Sequence, residues 1–302
     1  MTRACTHIAL ALHDHKGTYW PYVVTTLTSV FLHSSSALHV HLLHDDTLSP
    51  EACAAVSQLC RKYQHRLTLH PVELSSAMAT IDTRQFSVAS LYRLMLPQLL
   101  RHLDLVIYLD ADLIFNLVDI AELVRAIDSD PHQHPVSAVV DDLFSGSASS
   151  RRELQMLGIP ASQYFNSGLL GLRPQRIDLD LMESLKHFIE RHPEAEHIDQ
   201  DLLNQTFAQK VHWLPAKFNH QVNLTRGRYF DAIDSFNQKI LHYTGKAKPL
   251  SGTFAPPDIH FWRYTHEVPH IHRYIQAPMR YLQQMHERPG SAYLIPTRER
   301  KP

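Results

Sequence analysis

Cysteine is scarce in this chain: three in 302 residues, Cys5, Cys53 and Cys60, with no C-x-x-C pair. A cysteine-built structural zinc site is therefore not expected. Cys53 and Cys60 fall in one predicted helix, separated by roughly 10 Å of helix axis, too far for a disulfide. The pattern matches a reducing compartment. No run approaches the ~18 apolar residues that span a bilayer, and Met1 to Leu12 lacks a basic stretch followed by an apolar core. Neither a membrane helix nor a signal peptide is expected, and the expected location is cytoplasmic. Charge of one sign is also missing: 29 Lys+Arg stand against 30 Asp+Glu, a net −1. That balance excludes a nucleic-acid partner of the usual basic kind. No internal repeat or low-complexity tract is evident.

Apolar residues, by contrast, reach 44%, enough for a large α/β core. The 23 histidines are spread along the chain and read as surface residues on loops and helix faces. Short apolar runs alternate with helical patterns. Strands are predicted over 7–13, 38–43, 67–72, 105–109, 136–140 and 239–243, with a Gly-broken run over 165–172. Helices are predicted over 21–31, 49–63 (Ser49 as N-cap, Pro50 at N1), 91–100, 119–127, 179–191 and 199–209, the last capped by Asp199. Strands separated by helices of this length imply an α/β fold with a mostly parallel sheet. The catalytic domain is expected to cover residues 1–255, followed by an aromatic and basic appendage over 256–302.

The strand over 105–109 ends in Asp110-Ala111-Asp112. Burying two carboxylates at a strand end is costly unless a cation neutralises them, so the pair predicts a Mg²⁺ or Mn²⁺ site that also holds a phosphorylated ligand. Ligands of parallel sheets collect at the carboxyl ends of strands, which puts His13-Asp14, Asp110-Ala111-Asp112 and Asp141-Asp142 along one edge. A dehalogenase-type phosphatase also carries Asp-x-Asp after a strand. That motif normally opens its domain with Thr two residues after the second Asp, where this chain has Ile114.

Three companion segments add chemistry. Phe165-Asn166-Ser167-Gly168-Leu169-Leu170-Gly171-Leu172 sets an amide and a hydroxyl, both able to bond sugar hydroxyls, beside a glycine that permits close backbone approach. Asp199-Gln200-Asp201-Leu202-Leu203-Asn204-Gln205 gathers polar groups at a helix start. His242-Tyr243-Thr244-Gly245-Lys246-Ala247-Lys248-Pro249 supplies an imidazole, and ammonium groups suited to phosphate. His242 with Asp110 and Asp112 makes a good Mn²⁺ set.

Together these blocks (LDADLIF, FNSGLLGL, DQDLLNQTF and HYTGKAKPL, in that order) resemble glycosyltransferase family 8, which includes lipopolysaccharide α-galactosyl- and α-glucosyltransferases and glycogenin. The resemblance runs from about His7 to Pro249 and implies a GT-A fold, a nucleotide-sugar donor that is usually UDP-linked, Mn²⁺ (or Mg²⁺), and retention of anomeric configuration. It implies Asp110, Asp112 and His242 as metal ligands, with Ala111 between them at the donor. It implies Gly245 and Lys248 as diphosphate contacts, Arg93 as the arginine holding the donor sugar, and Asn166, Asp199 and Asp141 as sugar-hydroxyl contacts beside Ser167. Gln200 stands where the family has a residue on the β-face of the anomeric carbon. Many members carry Asp-Asp-Asn-Tyr after the first strand; here the segment reads His13-Asp14-His15-Lys16-Gly17-Thr18-Tyr19, with Asp14 and Tyr19 expected to meet the nucleotide.

An amide is a poor nucleophile, so same-face substitution is favoured over double displacement. Asp201 is the fallback nucleophile, or a first-turn acid that merely caps or pairs. Two other functions share the acidic pair: metal-dependent phosphohydrolysis or nucleotidyl transfer, and nucleotide-sugar binding without turnover. The expected partners are a nucleotide sugar and a glycan, lipid-linked or protein acceptor, with no nucleic acid. The C-terminal aromatics and arginines (Ile259 to Tyr264, Ile271 to Ile275, Arg280 to Leu282) read either as a membrane-surface contact or as a helical cover on the catalytic domain.

Overall fold

β1 (Thr6–Leu12) sets the pattern on which the sheet is built. Its even residues, Ile8, Leu10 and Leu12, pack in one core with α1 (Trp20–His33) and α2 (Pro50–Lys62). Ala9 and Ala11 face a second core on the opposite side. Two-residue alternation thus divides the interior into two layers. The structure, a computed structural model, describes residues 5–73, 81, 83, 86–144, 148–222, 233–245, 248–250 and 257–274.

The remaining strands are β2 (Leu38–His44), β3 (Arg66–Pro71), β4 (Val106–Leu109), β5 (Leu113–Asn116), β6 (Val136–Ala138), β7 (Leu169–Leu172), β8 (Val211–Trp213), β9 (His220–Val222) and β10 (Lys239–Tyr243). The large sheet has the order β3-β2-β1-β4-β7-β6-β8, and β7 alone runs against its neighbours. The mostly parallel α/β sheet expected from the sequence is therefore present. A smaller sheet, β5-β10-β9, pairs β10 antiparallel to β5 and parallel to β9. Asp110-Ala111-Asp112 is the link by which the chain leaves the large sheet at β4 and enters the small one at β5.

Local signals account for most helix ends. Ser49 accepts from the Ala52 N–H ahead of Pro50, and Asp180 caps α7 (Leu181–Arg191) through the N–H groups of Met182 and Glu183. Asp119 caps α5 (Ile120–Asp128), one residue earlier than its first helical turn. The helix expected over 91–100 is instead α3 (Ala89–Tyr92), a 3₁₀ turn over Arg93–Met95, and α4 (Leu96–Leu99). Pro97 has no N–H to continue the ladder, which fits the break. α6 covers Ala148–Leu157, α8 Ile198–Phe207 and α9 Asp258–Trp262. Residues 257–274 lie on α1: Phe261, Tyr264 and Val268 are core side chains, and the Tyr264 hydroxyl is 2.9 Å from His33 Nε2. Over this stretch the segment acts as a cover. Ile275 onward, including Arg280 to Leu282, lies outside the described residues. Among the described residues no helix is long and apolar enough to cross a membrane.

Several histidines, expected on loops and helix faces, sit on strands. By register His7 (β1), His39 and His41 (β2) and His70 (β3) share one face at the sheet's β3 edge. His7 Nδ1 is 3.0 Å from His41 Nε2, and His41 Nδ1 is 3.0 Å from His70 Nε2. Burial, then the charges of His39, His70 and His7, pushes the buried His41 ring down to about 3. The unfolded chain takes up this proton near pH 6.5, so unfolding binds a proton over the interval between the two values. Stability should therefore decline as pH falls from about 6.5, and His41→Leu should flatten that decline in denaturant titrations run at pH 7.5 and pH 5.

Candidate active site

At the junction of the two sheets each acidic side chain has one oxygen tied down. Asp110 Oδ1 accepts from the Tyr108 hydroxyl (2.8 Å) and from Arg93 Nη2 (3.0 Å). Asp112 Oδ2 accepts from Lys248 Nζ and, at 3.3 Å, from the Tyr19 hydroxyl. Burial and the neighbouring carboxylates hold both phenols protonated, so they act as donors. The second oxygens converge: Asp110 Oδ2 is 3.6 Å and Asp112 Oδ1 3.3 Å from His242 Nε2. Asp112 is 5% exposed, and its Oδ1 has no hydrogen-bond donor among the described residues.

A chain of amides fixes which nitrogen of His242 carries its proton. The Gly168 N–H donates to Asn166 Oδ1 (3.0 Å), as does Asn219 Nδ2 (2.9 Å). Asn219 Oδ1 is thereby the acceptor turned to His242 Nδ1, 3.0 Å away. Nδ1 carries the hydrogen and Nε2 presents a lone pair to the two free carboxylate oxygens. Three acceptors face one another, an arrangement a divalent cation satisfies. Space enforces it too: a Cβ at Gly168 would strike His242 Cε1 and come within 2.7 Å of Asp110 Oδ2. The three residues therefore fit a resident cation. Burial alone would raise the Asp112 carboxyl; the Lys248 ammonium overrides it and holds it well below the usual carboxylate range.

The backbone here is clamped from three sides. Thr26 Oγ1 of α1 donates toward the carbonyls of Ala111 (2.6 Å) and Leu113 (2.8 Å). The Asp110 N–H donates to the Gly168 carbonyl (2.7 Å) and the Tyr243 N–H to the Asp112 carbonyl (3.1 Å).

Beside this centre lies a wall of polar groups. Arg93 stacks over Tyr108 at 4.6 Å, contacts Asp199 Oδ2 at 3.3 Å and donates to the Ser167 carbonyl (2.5 Å) and hydroxyl (3.0 Å). Burial raises the Asp199 carboxyl while Arg93 opposes that shift. Gln200 Oε1 accepts from the Ser167 N–H (2.8 Å), which turns its Nε2 toward Asp141 Oδ2 (3.3 Å) and Tyr164 (3.2 Å). Asn166 Nδ2 meets the same Asp141 oxygen at 3.1 Å. The structure thus brings together Arg93, Asp110, Asp112, Asp141, Asn166, Ser167, Asp199, Gln200, His242 and Lys248.

Several placements differ from expectation. Asp199 is not the N-cap of α8: His197 is, and Asp199 is a buried first-turn residue spent on Arg93. Asp201 is 0% exposed, accepting from the Tyr164 hydroxyl (2.6 Å) and the His197 N–H (3.2 Å). Burial and the adjoining Glu153 push its carboxyl well above the usual range. It packs behind Tyr164 and does not line the site. Asp14 uses both oxygens on the N–H groups of Thr18, Tyr19 and Trp20. Its carboxylate shapes the entry to α1, and Tyr19 reaches the acidic pair. Gly245 takes φ +85°, a left-handed conformation open to glycine. Lys246 lies outside the described residues. Tyr108, two residues before Asp110 on the strand, was findable from alternation; Asn219 sits in no motif and was not.

The model for glycosyl transferase family 8 matches residues 7–251. This chain belongs to glycosyltransferase family 8. It is 26% identical to mouse glucoside xylosyltransferase 2 over 65% of this chain and 48% of the relative, and 24% identical to Salmonella typhimurium lipopolysaccharide 1,3-galactosyltransferase over 77% and 70%. It thus spans about half the length of the mouse protein, and 61% of a Haemophilus influenzae putative glycosyltransferase that it also matches. Among solved structures, galactosyltransferase LgtC in complex with donor and acceptor sugar analogues superposes with TM-score 0.72 at 22% identity, covering 89% of this chain and 99% of that one. Mouse xyloside xylosyltransferase 1 gives 0.56 at 14% identity, with 80% and 98% covered. The family 8 chain has the GT-A fold.

Replacing Asn219 with Ala frees the His242 ring, and divalent-cation affinity should fall roughly 10–100-fold, as other lost outer partners of ligating histidines do. The loss of the free Mn²⁺ paramagnetic signal on titration with protein measures it. Gly168→Ala should abolish that binding.

Proposed function

We propose that this family 8 chain moves a hexose, glucose or galactose, from a UDP-sugar to a hydroxyl of a glycan, lipid-linked or protein acceptor, with Mn²⁺ dependence and retained configuration. The observation that carries the proposal is the convergence of Asp110 Oδ2, Asp112 Oδ1 and the bare His242 Nε2 beside Lys248 and the wall from Arg93 to Gln200. Membership of the family and the galactosyltransferase among its relatives support the hexose. Three unpaired cysteines fit a cytoplasmic setting.

A divalent cation, when bound, supplies positive charge to the donor diphosphate. Lys248, set against Asp112, adds an ammonium that strengthens its hold as charge grows on the leaving phosphate oxygen. Arg93, Asn166 and Asp199 hold the sugar ring through its hydroxyls. Gln200, anchored at both ends of its amide, presents a polar but non-nucleophilic group. Asp201, enclosed behind Tyr164, is not offered for a covalent intermediate. That supports entry of the acceptor from the face the diphosphate leaves.

Incubation with Mn²⁺ and a panel of UDP-sugars should release UDP with one hexose donor, and EDTA should stop it. Asp112→Ala should leave no release above background with the fold intact. Lys248→Ala should cost roughly 10²–10³-fold in turnover, and Gln200→Ala should slow transfer without abolishing it. Undiminished turnover in Asp112→Ala, or a β-linked product by NMR from an α-linked donor, overturns the proposal.

A further inference from the structure

The face of the sheet that carries the histidine row holds a second group of converging donors, separate from the acidic pair. One ring nitrogen each from His7, His39 and His41 lies within 4.8 Å of the other two. His7 Nδ1 and His41 Nε2 are 3.0 Å apart; two nitrogens bound tetrahedrally to one zinc ion at ~2.0–2.1 Å stand about 3.3 Å apart. The ring centroids are separated by 5.3, 5.3 and 4.3 Å.

The outer contacts match those of ligating histidines as well. His41 turns its Nδ1 to His70 Nε2 at 3.0 Å, and Thr68 Oγ1 holds His39 Nε2 at 2.8 Å. The charges acting on the three rings come from other histidines, His102 among them, and from Arg66. An all-nitrogen donor set disfavours Mg²⁺, Ca²⁺ and Mn²⁺ and suits an ion that imidazole binds strongly. His7 and His39 are half-buried, which leaves a way in, whereas His41 is buried at the floor. Ile8 pairs with Ile107, so His7 stands level with Val106, four residues before Asp110, or roughly 13 Å at the rise of an extended strand.

The geometry points to a zinc-class site on His7, His39 and His41 that ties β1 to β2, independent of the donor site. The test uses untagged full-length chain stripped with EDTA and titrated calorimetrically with Zn²⁺. The His7→Gln/His39→Gln variant should bind one Zn²⁺ fewer per chain than the parent, and the same deficit should persist when both carry Asp112→Ala. His70→Leu should keep the stoichiometry while weakening that ion roughly 10–100-fold. Equal stoichiometry in parent and double variant overturns the site. A readout that needs no histidine variant is Co²⁺ added to Asp112→Ala: intense visible absorption of a four-coordinate nitrogen site supports the assignment, and only the faint bands of six-coordinate cobalt overturn it.

Discussion

The oxygen of Asp112 that no donor among the described residues reaches is the point on which this molecule turns. A buried carboxylate oxygen facing an unprotonated imidazole nitrogen at 3.3 Å is an unfavourable pair of lone pairs. Lys248 offsets the charge of Asp112 from one side only, and Tyr19 adds a neutral donor there. The protein keeps this arrangement by heavy bracing: Thr26 from α1, Gly168 from the approach to β7 and Tyr243 from β10 all hold the Asp110–Asp112 backbone. The polar interior is set by rigid elements, which is how a site keeps groups in positions they would not choose alone.

Two sheets meeting at one short link explain why the donors come from distant parts of the sequence. β4 delivers the acidic pair, β10 returns antiparallel to β5 and brings His242 opposite Leu113, and β9 places Asn219 just before its first residue. α8 approaches from the other core and contributes Asp199 and Gln200 to the wall, while Asn204 on the same helix bonds both backbone groups of Phe165. The fold thus shows a division of labour: one sheet leads to the acidic pair, the other carries the imidazole, and the helix carries Asp199 and Gln200.

Much of this was legible from residues alone, for identifiable reasons. Strand alternation and the acidic doublet are short-range signals, so β4 and β10 were placed correctly, and Asp110, Asp112 and His242 do stand together. Helix caps with a side chain before Pro or an apolar run, such as Ser49, were equally readable. Asp199 misled because an acid at a helix start resembles a cap, when a distant arginine had a stronger claim on it. The partners of Asp14 are backbone N–H groups of the following turn, which composition does not reveal. Asn219 and the histidine row depend on which strands become neighbours. That is a property of long-range register; only the His39-x-His41 alternation hinted at it.

One consequence follows from the run of amides between Gly168 and His242. Asn166 bonds Asp141 with its nitrogen, while its oxygen receives Asn219, the residue that sets the imidazole tautomer. Under the proposed function, a sugar hydroxyl competing for Asn166 would change the polarity felt at the far end of that relay, and by thermodynamic reciprocity the donor and the ion would then alter each other's grip by the same factor.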